Sequence, residues 1–251
     1  MPEIWSHSQV FIGLILHASF PPTMSVPIKF SPHRPLLPRF VDGKGESNFM
    51  GMGCFRSNST VRLEDGKTAT MESLRIGDRV ESVDRNGRIT YSEVLMFLDN
   101  KPKVKDVQYF VIETDKPRVK LLLTKSHLVY VKRQLSDVWR VQFAKLVQKG
   151  YFIRVRSEGK MIPARVSRVS VSLERGMIAP LTNEGNIIVD SALASCYALL
   201  EDHDFADSIF WPAKALYKYF PAISSDKKPQ EGVHWYARLL LFLNDYLSVL
   251  T

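Results

Sequence analysis

Cysteine is scarce in this chain, whose 251 residues include only Cys54 and Cys196. So few thiols exclude a disulfide-stapled secreted scaffold and a metal site built from four cysteines. Two isolated thiols leave three alternatives, which are a single disulfide, two buried structural residues, or a nucleophile with a partner. With 45% hydrophobic residues, the chain has instead the composition of one or two domains held by an apolar core.

Long hydrophobic runs are also lacking. Residues 10–20 include the apolar run VFIGLIL, which is too short to cross a bilayer. It resembles the core of a secretory signal, but no Lys or Arg precedes it. Residues 233–250 are apolar yet interrupted by Arg238, Asn244 and Asp245. That pattern favours an amphipathic helix, lying on a membrane surface or packed on the protein, over a membrane span.

Negative charge is in deficit, since 26 acidic residues face 34 basic ones, for a net charge of +8. The basic residues are scattered among strand-like segments, with modest clusters in residues 101–105 and 118–133. No nucleic-acid motif accompanies them. The charge therefore indicates a solvated basic face, and no nucleic-acid partner is expected.

Proline is concentrated at the N-terminus, where seven of the 14 prolines fall within the first 40 residues. A segment so interrupted, without a periodic apolar pattern, is typical of disorder. Residues 1–53 are therefore predicted not to pack as a domain, and the folded unit is predicted to begin near residue 50.

Residues 60–190 carry the pattern of β-structure. Asn86-Gly87 predicts a type I′ hairpin turn, and Glu158-Gly159 and Glu184-Gly185 mark two more turns. Residues 191–201 predict a brief helix that ends this unit. An all-β unit of this length is expected to close on itself or to stack its sheets, because open edges promote aggregation. The predicted strands are rich in Val, Ile, Leu and Tyr. One of them, over residues 161–173, is long and bent. The short ones are residues 79–84, 88–94, 107–113, 118–124, 127–132 and 186–190.

The tripeptide Gly53-Cys54-Phe55 stands at the start of the β unit. A thiol there could attack the carbonyl of its own upstream peptide. Glycine suits the acyl side because it has no Cβ, tolerates strained dihedral angles and crowds the sulfur least. A lone cysteine is, however, more often a small buried apolar residue than a nucleophile.

Three further positions carry reactive groups, and each also has a purely structural interpretation. His127 could deliver a proton to a departing amide nitrogen, and Thr124, three residues earlier, could orient the imidazole or polarise the scissile amide. Asp99 follows an apolar stretch and is either a loop carboxylate or a general base. Cys196 is a core residue, a disulfide partner for Cys54, or a thiol that assists exchange.

The order of these features along the chain is more specific than any one of them. Gly53-Cys54-Phe55 is followed by LRIGDRV, YSEVLMFLDN, LLLTKSHLVYV, APLTNEGNIIVDSALASCYA and GVHWYARLL. This series resembles the autoprocessing region of hedgehog precursors, within the hedgehog/intein (Hint) family. The resemblance runs from Gly53 to about residue 202 and more loosely beyond. It implies an all-β Hint fold, a pseudo-symmetric curved domain over residues 54–202, followed by a helical sterol-recognition region over residues 203–251.

The resemblance also implies a reaction and a set of roles. Cys54 matches the nucleophile that forms a thioester on Gly53, which is the cleavage site. His127 matches the proton donor to the departing amine, and Thr124 matches its partner in that step. Asp99 matches the base that activates a sterol hydroxyl.

Cys196 matches the family's second cysteine, which supports processing and can pair with the nucleophile. A Cys54–Cys196 disulfide would then switch the activity off. Splicing relatives end in His-Asn, and this chain has no such dipeptide. An outside nucleophile must therefore resolve the thioester, and cholesterol is the acceptor that the resemblance implies.

Several expectations complete the prediction. No metal or organic cofactor is expected, the reaction is expected in a monomer, and the secretory pathway, beginning in the endoplasmic reticulum, is the implied location. The released N-terminal product would then be extracellular or membrane-associated. Residues 1–53 do not show the large signalling domain that precedes the cleaved bond in the family, so that domain's contacts are not carried over. Two alternatives stay open, namely a self-cleaving Hint protein that uses water or another nucleophile, and a non-enzymatic basic or lipid-facing β module.

Overall fold

The structure is a computed structural model that describes residues 53–197, 214–215 and 231–234. Within these residues the fold is almost entirely β, with two single-turn 3-10 helices at Met71–Ser73 and Ala144–Leu146. No helix in this part of the chain combines the length and the hydropathy needed to cross a bilayer. The predicted all-β class is confirmed. The strands, in chain order, are β1 Thr60–Arg62, β2 Thr68–Thr70, β3 Arg79–Val83, β4 Ile89–Lys101, β5 Val107–Thr114, β6 Lys120–Leu123, β7 Leu128–Lys132, β8 Arg140–Phe143, β9 Phe152–Ser157, β10 Lys160–Glu174, β11 Met177–Thr182, β12 Asn186–Val189, β13 Ala192–Ser195 and β14 Gly232–Val233.

These strands form three antiparallel sheets. The largest has the order β12-β13-β7-β9-β10-β5-β6, with β8 added beside β7. A second sheet has the order β11-β4-β14, with β3 also paired to β4, and β1 and β2 form a small third sheet. The strand β10 is 15 residues long and changes register between Val166 and Arg168. This bulge bends the strand, so the prediction of a long bent strand is confirmed.

The first hairpin turn lies where predicted but differs in type. Gly87 has φ 79°, whereas Asn86 does not have a positive φ, so the turn is not type I′. The Asp84 carboxylate accepts from the N–H groups of Asn86 and Arg88. These bonds favour a type I turn closed by a left-handed glycine, which is the three-residue hairpin loop. The two-residue type I′ geometry occurs instead at Glu158-Gly159, with φ of 48° and 74°.

The predicted helix over residues 191–201 is wrong for the residues that the structure describes there. Asp190 and Ser191 have φ of 47° and 68°, which makes a type I′ turn. Ala192–Ser195 then returns as β13 and pairs with β12. Small and apolar residues are compatible with a buried strand as well as with a helix, and the cross-strand partners decide between them.

The C-terminal region is described only in two short pieces. Gly232–Val233 forms β14 and pairs with Asn100 and Asp99 of β4. Val233 is therefore in a strand, at a position where the sequence predicted the start of a helix. Residues 235–250 lie outside the described residues, as do 198–213 and 216–230, so the helical sterol-recognition region stays a prediction.

A buried asparagine ties two sheets together. The Asn186 side chain accepts from Ser82 Oγ at 2.9 Å and from Val83 N at 2.8 Å, and it donates to Val83 O at 2.9 Å. Asn186 belongs to β12, whereas Ser82 and Val83 belong to β3. These contacts supply the backbone of Val83 with partners that its own sheet does not provide.

We predict that Asn186→Ala lowers the free energy of unfolding by about 2–3 kcal/mol, because it leaves the buried N–H and C=O of Val83 without partners. Urea unfolding followed by fluorescence measures the change. Asn58→Ala, at an exposed position, is the matched control and should change stability by less than about 0.5 kcal/mol. Equal stability of the two variants would contradict the structural role.

Candidate active site

The peptide that joins Gly53 to Cys54 is buried in the core. Cys54 donates its N–H to Thr124 Oγ1 at 2.9 Å, and the N–H of Thr124 donates to Cys54 O at 3.2 Å. Phe55 then pairs with Ile178 of β11 through two backbone hydrogen bonds. The backbone is thus fixed on both sides of Cys54, and the residue is 0% exposed.

Thr124 and His127 are placed together by a tight turn between β6 and β7. The N–H of His127 donates to Thr124 O at 3.0 Å, so the three-residue spacing closes one turn. The His127 ring packs edge-on against the Phe55 ring, with centroids 4.3 Å apart. The predicted T-x-x-H pair therefore meets at the Gly53-Cys54 peptide.

Gly53 lies directly against the His127 side chain. A Cβ built on Gly53 would be 2.7 Å from His127 Cα, Cγ and Nδ1. Real Cβ atoms do not approach other atoms so closely, so only glycine fits here. This contact brings the histidine ring up to the carbonyl-bearing residue of the buried peptide.

One nitrogen of the His127 ring has a hydrogen-bond partner, and the other has none among the described residues. Nε2 is 2.9 Å from Ser195 O, and because a carbonyl only accepts, Nε2 must carry the hydrogen. Nδ1 is buried and has no hydrogen-bond partner within the described residues. In the neutral ring Nδ1 is therefore a lone-pair base beside Gly53.

Burial lowers the pKa of His127 from 6.5 to about 4, although contacts with the backbone of Ser195 and Cys54 oppose the shift. The ring is therefore neutral near pH 7. The unfolded chain binds a proton more readily than the folded chain between these two values. The stability that His127 contributes is consequently complete above about pH 6.5 and is lost as the pH falls toward 4.

Asp99 faces Cys54 across one intervening strand. Ala179 of β11 pairs with Asp99 of β4, and the Phe55–Ile178 pairing on the other side of β11 places Cys54 opposite Ala179. Residues in one row across antiparallel strands point to the same face. Ala179 therefore lies between the thiol and the carboxylate in this row.

The electrostatics of Cys54 reflect this placement. Burial raises the pKa of its thiol, the negative charge of Asp99 raises it further, and Lys101 lowers it. Cys54 is therefore a neutral thiol at rest, and it requires a base for activation.

Cys196 lies at the end of β13, next to the carbonyl that holds His127. Its sulfur is 3.6 Å from Thr182 Oγ1, and its N–H donates to Gly185 O at 2.9 Å. Both cysteines are buried and reduced. Of the alternatives left open by the sequence, the disulfide is not formed in this structure. The role of Cys196 in processing stays a prediction.

Four residues contribute to the site that sequence reasoning did not single out. Ser195 supplies the carbonyl for His127, and Ala179 lies between Cys54 and Asp99. Lys101 forms an ion pair with Asp99 at 3.0 Å, and Tyr109 is a buried neutral phenol, because burial raises its pKa. Only Lys101 had a sequence signal, since residues two apart on a strand share a face.

Metal-binding side chains do not cluster in the described part of the chain, where no group of three or more His, Cys, Asp and Glu residues is placed to hold an ion. The reactive groups of the site are instead a thiol, an imidazole, a hydroxyl and a carboxylate arranged around one peptide bond. Such a set can move an acyl group from nitrogen to sulfur.

Comparisons with known proteins agree with this arrangement. The family model of the Hint module matches residues 44–249. The chain is 35% identical over 194 residues to Indian hedgehog protein of Xenopus laevis, covering 76% of this chain and 47% of that protein. It is 37% identical over 213 residues to protein hedgehog of Drosophila virilis, covering 78% and 44%. The chain thus spans about half the length of the curated relatives that it matches.

Among solved structures, the KlbA intein precursor of Methanococcus jannaschii has a TM-score of 0.49 and 15% identity over 60% of this chain and 95% of that chain. That likeness is too distant to carry an argument of its own.

The all-β fold and the family match over most of the chain define a Hint module. The chain belongs to the Hint module family, and its similarity to hedgehog proteins places it with their C-terminal Hint domains.

We predict that His127 stays neutral, with its hydrogen on Nε2, from about pH 5.5 to about pH 8. Nitrogen-15 NMR of the imidazole in a Cys54→Ala background measures both the tautomer and the titration. The reason is burial of the ring together with its hydrogen bond to Ser195 O. A ring that carries its hydrogen on Nδ1, or that titrates near pH 6.5 as an exposed histidine does, would contradict the assignment.

We predict that Gly53→Ala slows cleavage of the Gly53-Cys54 bond by dithiothreitol at least about tenfold, because the added Cβ meets the backbone of His127 and displaces the peptide. Gly53→Val should slow it further. The rate is read from gel densitometry of the intact and cleaved chains. If both variants cleave as fast as the wild type, the close contact is irrelevant to the reaction.

Proposed function

We propose that this domain cuts its own backbone between Gly53 and Cys54 through an internal thioester and transfers the Gly53 carbonyl to cholesterol. The observation that carries the proposal is the buried Gly53-Cys54 peptide, held by Thr124 and pressed against the open Nδ1 of His127. Cys54, Thr124, His127 and Asp99 are the residues that act in this reaction.

In the first step the sulfur of Cys54 attacks the carbonyl carbon of Gly53. The neutral Nδ1 of His127 takes the thiol proton, and the bond between the Gly53 carbonyl carbon and the Cys54 nitrogen breaks. The same proton then passes from Nδ1 to the departing amine. The low pKa of His127 supports both halves of this transfer, since the ring is a free base at neutral pH and a strong acid once protonated.

Thr124 supports the first step by position. Its hydroxyl oxygen accepts the N–H of the peptide that breaks, at 2.9 Å. This hydrogen bond holds the amide nitrogen where His127 can reach it and fixes the approach of the thiol. Cys196 lies next to Ser195, which holds Nε2, so its contribution is assigned to the support of His127.

In the second step a sterol hydroxyl attacks the thioester carbon. Asp99 takes the hydroxyl proton, the carbon–sulfur bond breaks, and Cys54 leaves as a thiolate that regains a proton. The product is Gly53 esterified to the sterol. Asp99 Oδ1 is buried and without a partner among the described residues, which suits it to accept that proton.

Two observations favour transfer over hydrolysis. The thiol is fully buried, so a thioester on it would be protected from bulk water. The chain segment of β14 also pairs directly beside Asp99, so the region after residue 202 passes next to the acceptor base. The similarity to hedgehog proteins supports cholesterol as acceptor, a membrane surface contacted through residues 233–250, and a secretory location.

We expect intact mass spectrometry of the reduced protein to detect cleavage at Gly53-Cys54 with dithiothreitol and with cholesterol. With cholesterol, the N-terminal fragment should be heavier by one esterified sterol. Asp99→Asn should keep cleavage by dithiothreitol and lower sterol transfer by at least about 100-fold, because only the acceptor step needs the base. Cys54→Ala, which removes the nucleophile, is the negative control.

The other outcomes decide between the alternatives. Cleavage with dithiothreitol and none with cholesterol would keep the thioester and assign its resolution to water or another nucleophile. A chain that stays intact under all conditions, with free thiols verified, would favour the non-enzymatic module and end the autoprocessing proposal.

A further inference from the structure

An ion pair at the end of β4 joins the acceptor base to the protein surface. Asp99 and Lys101 are two residues apart on the strand and share a face. Lys101 Nζ is 3.0 Å from Asp99 Oδ2. The side chain of Asp99 is 1% exposed, whereas that of Lys101 is 35% exposed. The lysine therefore covers the carboxylate on its solvent side.

The other titratable groups around Asp99 carry no positive charge near neutral pH. Cys54 faces it across β11 as a neutral thiol, and Tyr109 of β5, whose pKa is raised by burial, is a neutral phenol that donates to Gly176 O. Beside β14, burial lowers the pKa of His234. Within the described residues, Lys101 thus supplies the one cation at ion-pair distance from Asp99.

The pairing distinguishes the two carboxylate oxygens. Oδ2 accepts from Lys101 Nζ, whereas Oδ1 is buried and has no partner in the described part of the chain. One oxygen is therefore anchored, which leaves the other to take a proton.

We propose that Lys101 is a positioning residue for the acceptor step, which keeps Asp99 ionised and anchors Oδ2 so that Oδ1 takes the proton of the incoming hydroxyl. This inference rests on the proposed function, since it deepens the role of Asp99 there. It assigns to Lys101 a task that a merely structural surface lysine would not have.

Two opposing effects act on the carboxyl group. Burial raises the pKa of Asp99 and is the largest effect, while the hydrogen bond and the charge of Lys101 and a backbone hydrogen bond from Asn100 lower it. Without the ammonium the pKa rises further. A general base works only when it is deprotonated, so the rising limb of the transfer rate moves to higher pH when Lys101 is removed.

The test compares Lys101→Met with Lys101→Arg and with Lys103→Met. Lys103 is 84% exposed and its nearest carboxylate, that of Glu231, is 3.9 Å away, so it is a matched surface control. Rates of cleavage with cholesterol and with dithiothreitol are measured on the full chain from about pH 5.5 to about pH 8.5.

We expect Lys101→Met to lower sterol transfer about tenfold on the acidic side and to shift the profile by about one pH unit. Cleavage by dithiothreitol should change less than about twofold, because it does not need Asp99. Lys101→Arg should restore the profile, since it keeps the charge, and Lys103→Met should match the wild type. Parallel loss of both activities in Lys101→Met would assign the lysine a structural role and overturn the proposal.

A direct titration separates this inference from the proposed function. Carbon-13 NMR of the Asp99 carboxyl, in a Cys54→Ala background, should show a higher pKa in Lys101→Met than in Lys101→Arg, Lys103→Met or the parent. An unchanged titration overturns the ion-pair role whatever the enzyme does. If the wild type forms no sterol ester while the titration shifts, the acceptor step fails and the electrostatic control of Asp99 by Lys101 stands.

Discussion

The reciprocal hydrogen bonds between Cys54 and Thr124 are the interaction on which this site depends. One bond runs from the N–H of Cys54 to the threonine hydroxyl and the other from the N–H of Thr124 to Cys54 O. Together they hold the Gly53-Cys54 peptide inside the core, where Gly53 lies against the His127 side chain. Cleavage of that peptide by its neighbours depends on this fixed position.

Burial gives the site its chemistry. The thiol of Cys54 and the imidazole of His127 are both neutral because water is excluded, and each would be ionised more easily at the surface. A neutral acid beside a neutral base can exchange a proton without moving a charge through solvent. Asp99 is the exception, since it is buried but paired with a partly exposed lysine. The first step of the proposed reaction thus uses neutral buried groups, whereas the second step uses a buried carboxylate that is paired with a lysine.

Much of the fold could be predicted from local sequence patterns, and the errors have identifiable causes. The strands over residues 79–132 were located to within a few residues, except that β4 continues to Lys101 and carries Asp99 within it. The sequence predicts a helix over residues 191–201, but a short apolar run without a clear period is equally compatible with a strand at residues 192–195. Pairing with β12 makes them a strand, and only the tertiary structure supplies that partner. The turn at Asn86-Gly87 differs from the predicted type because the Asp84 carboxylate accepts hydrogen bonds from the loop backbone.

By itself, the sequence determined the all-β class, the absence of a disulfide framework, and a set of reactive residues in an order that resembles hedgehog precursors. These properties depend on residue type and spacing along the chain. The tertiary structure alone decided which nitrogen of His127 has no hydrogen-bond partner among the described residues, and that Ala179 lies between Cys54 and Asp99. Those facts depend on contacts between strands far apart in sequence and on the exclusion of water, and neither is encoded in any local pattern.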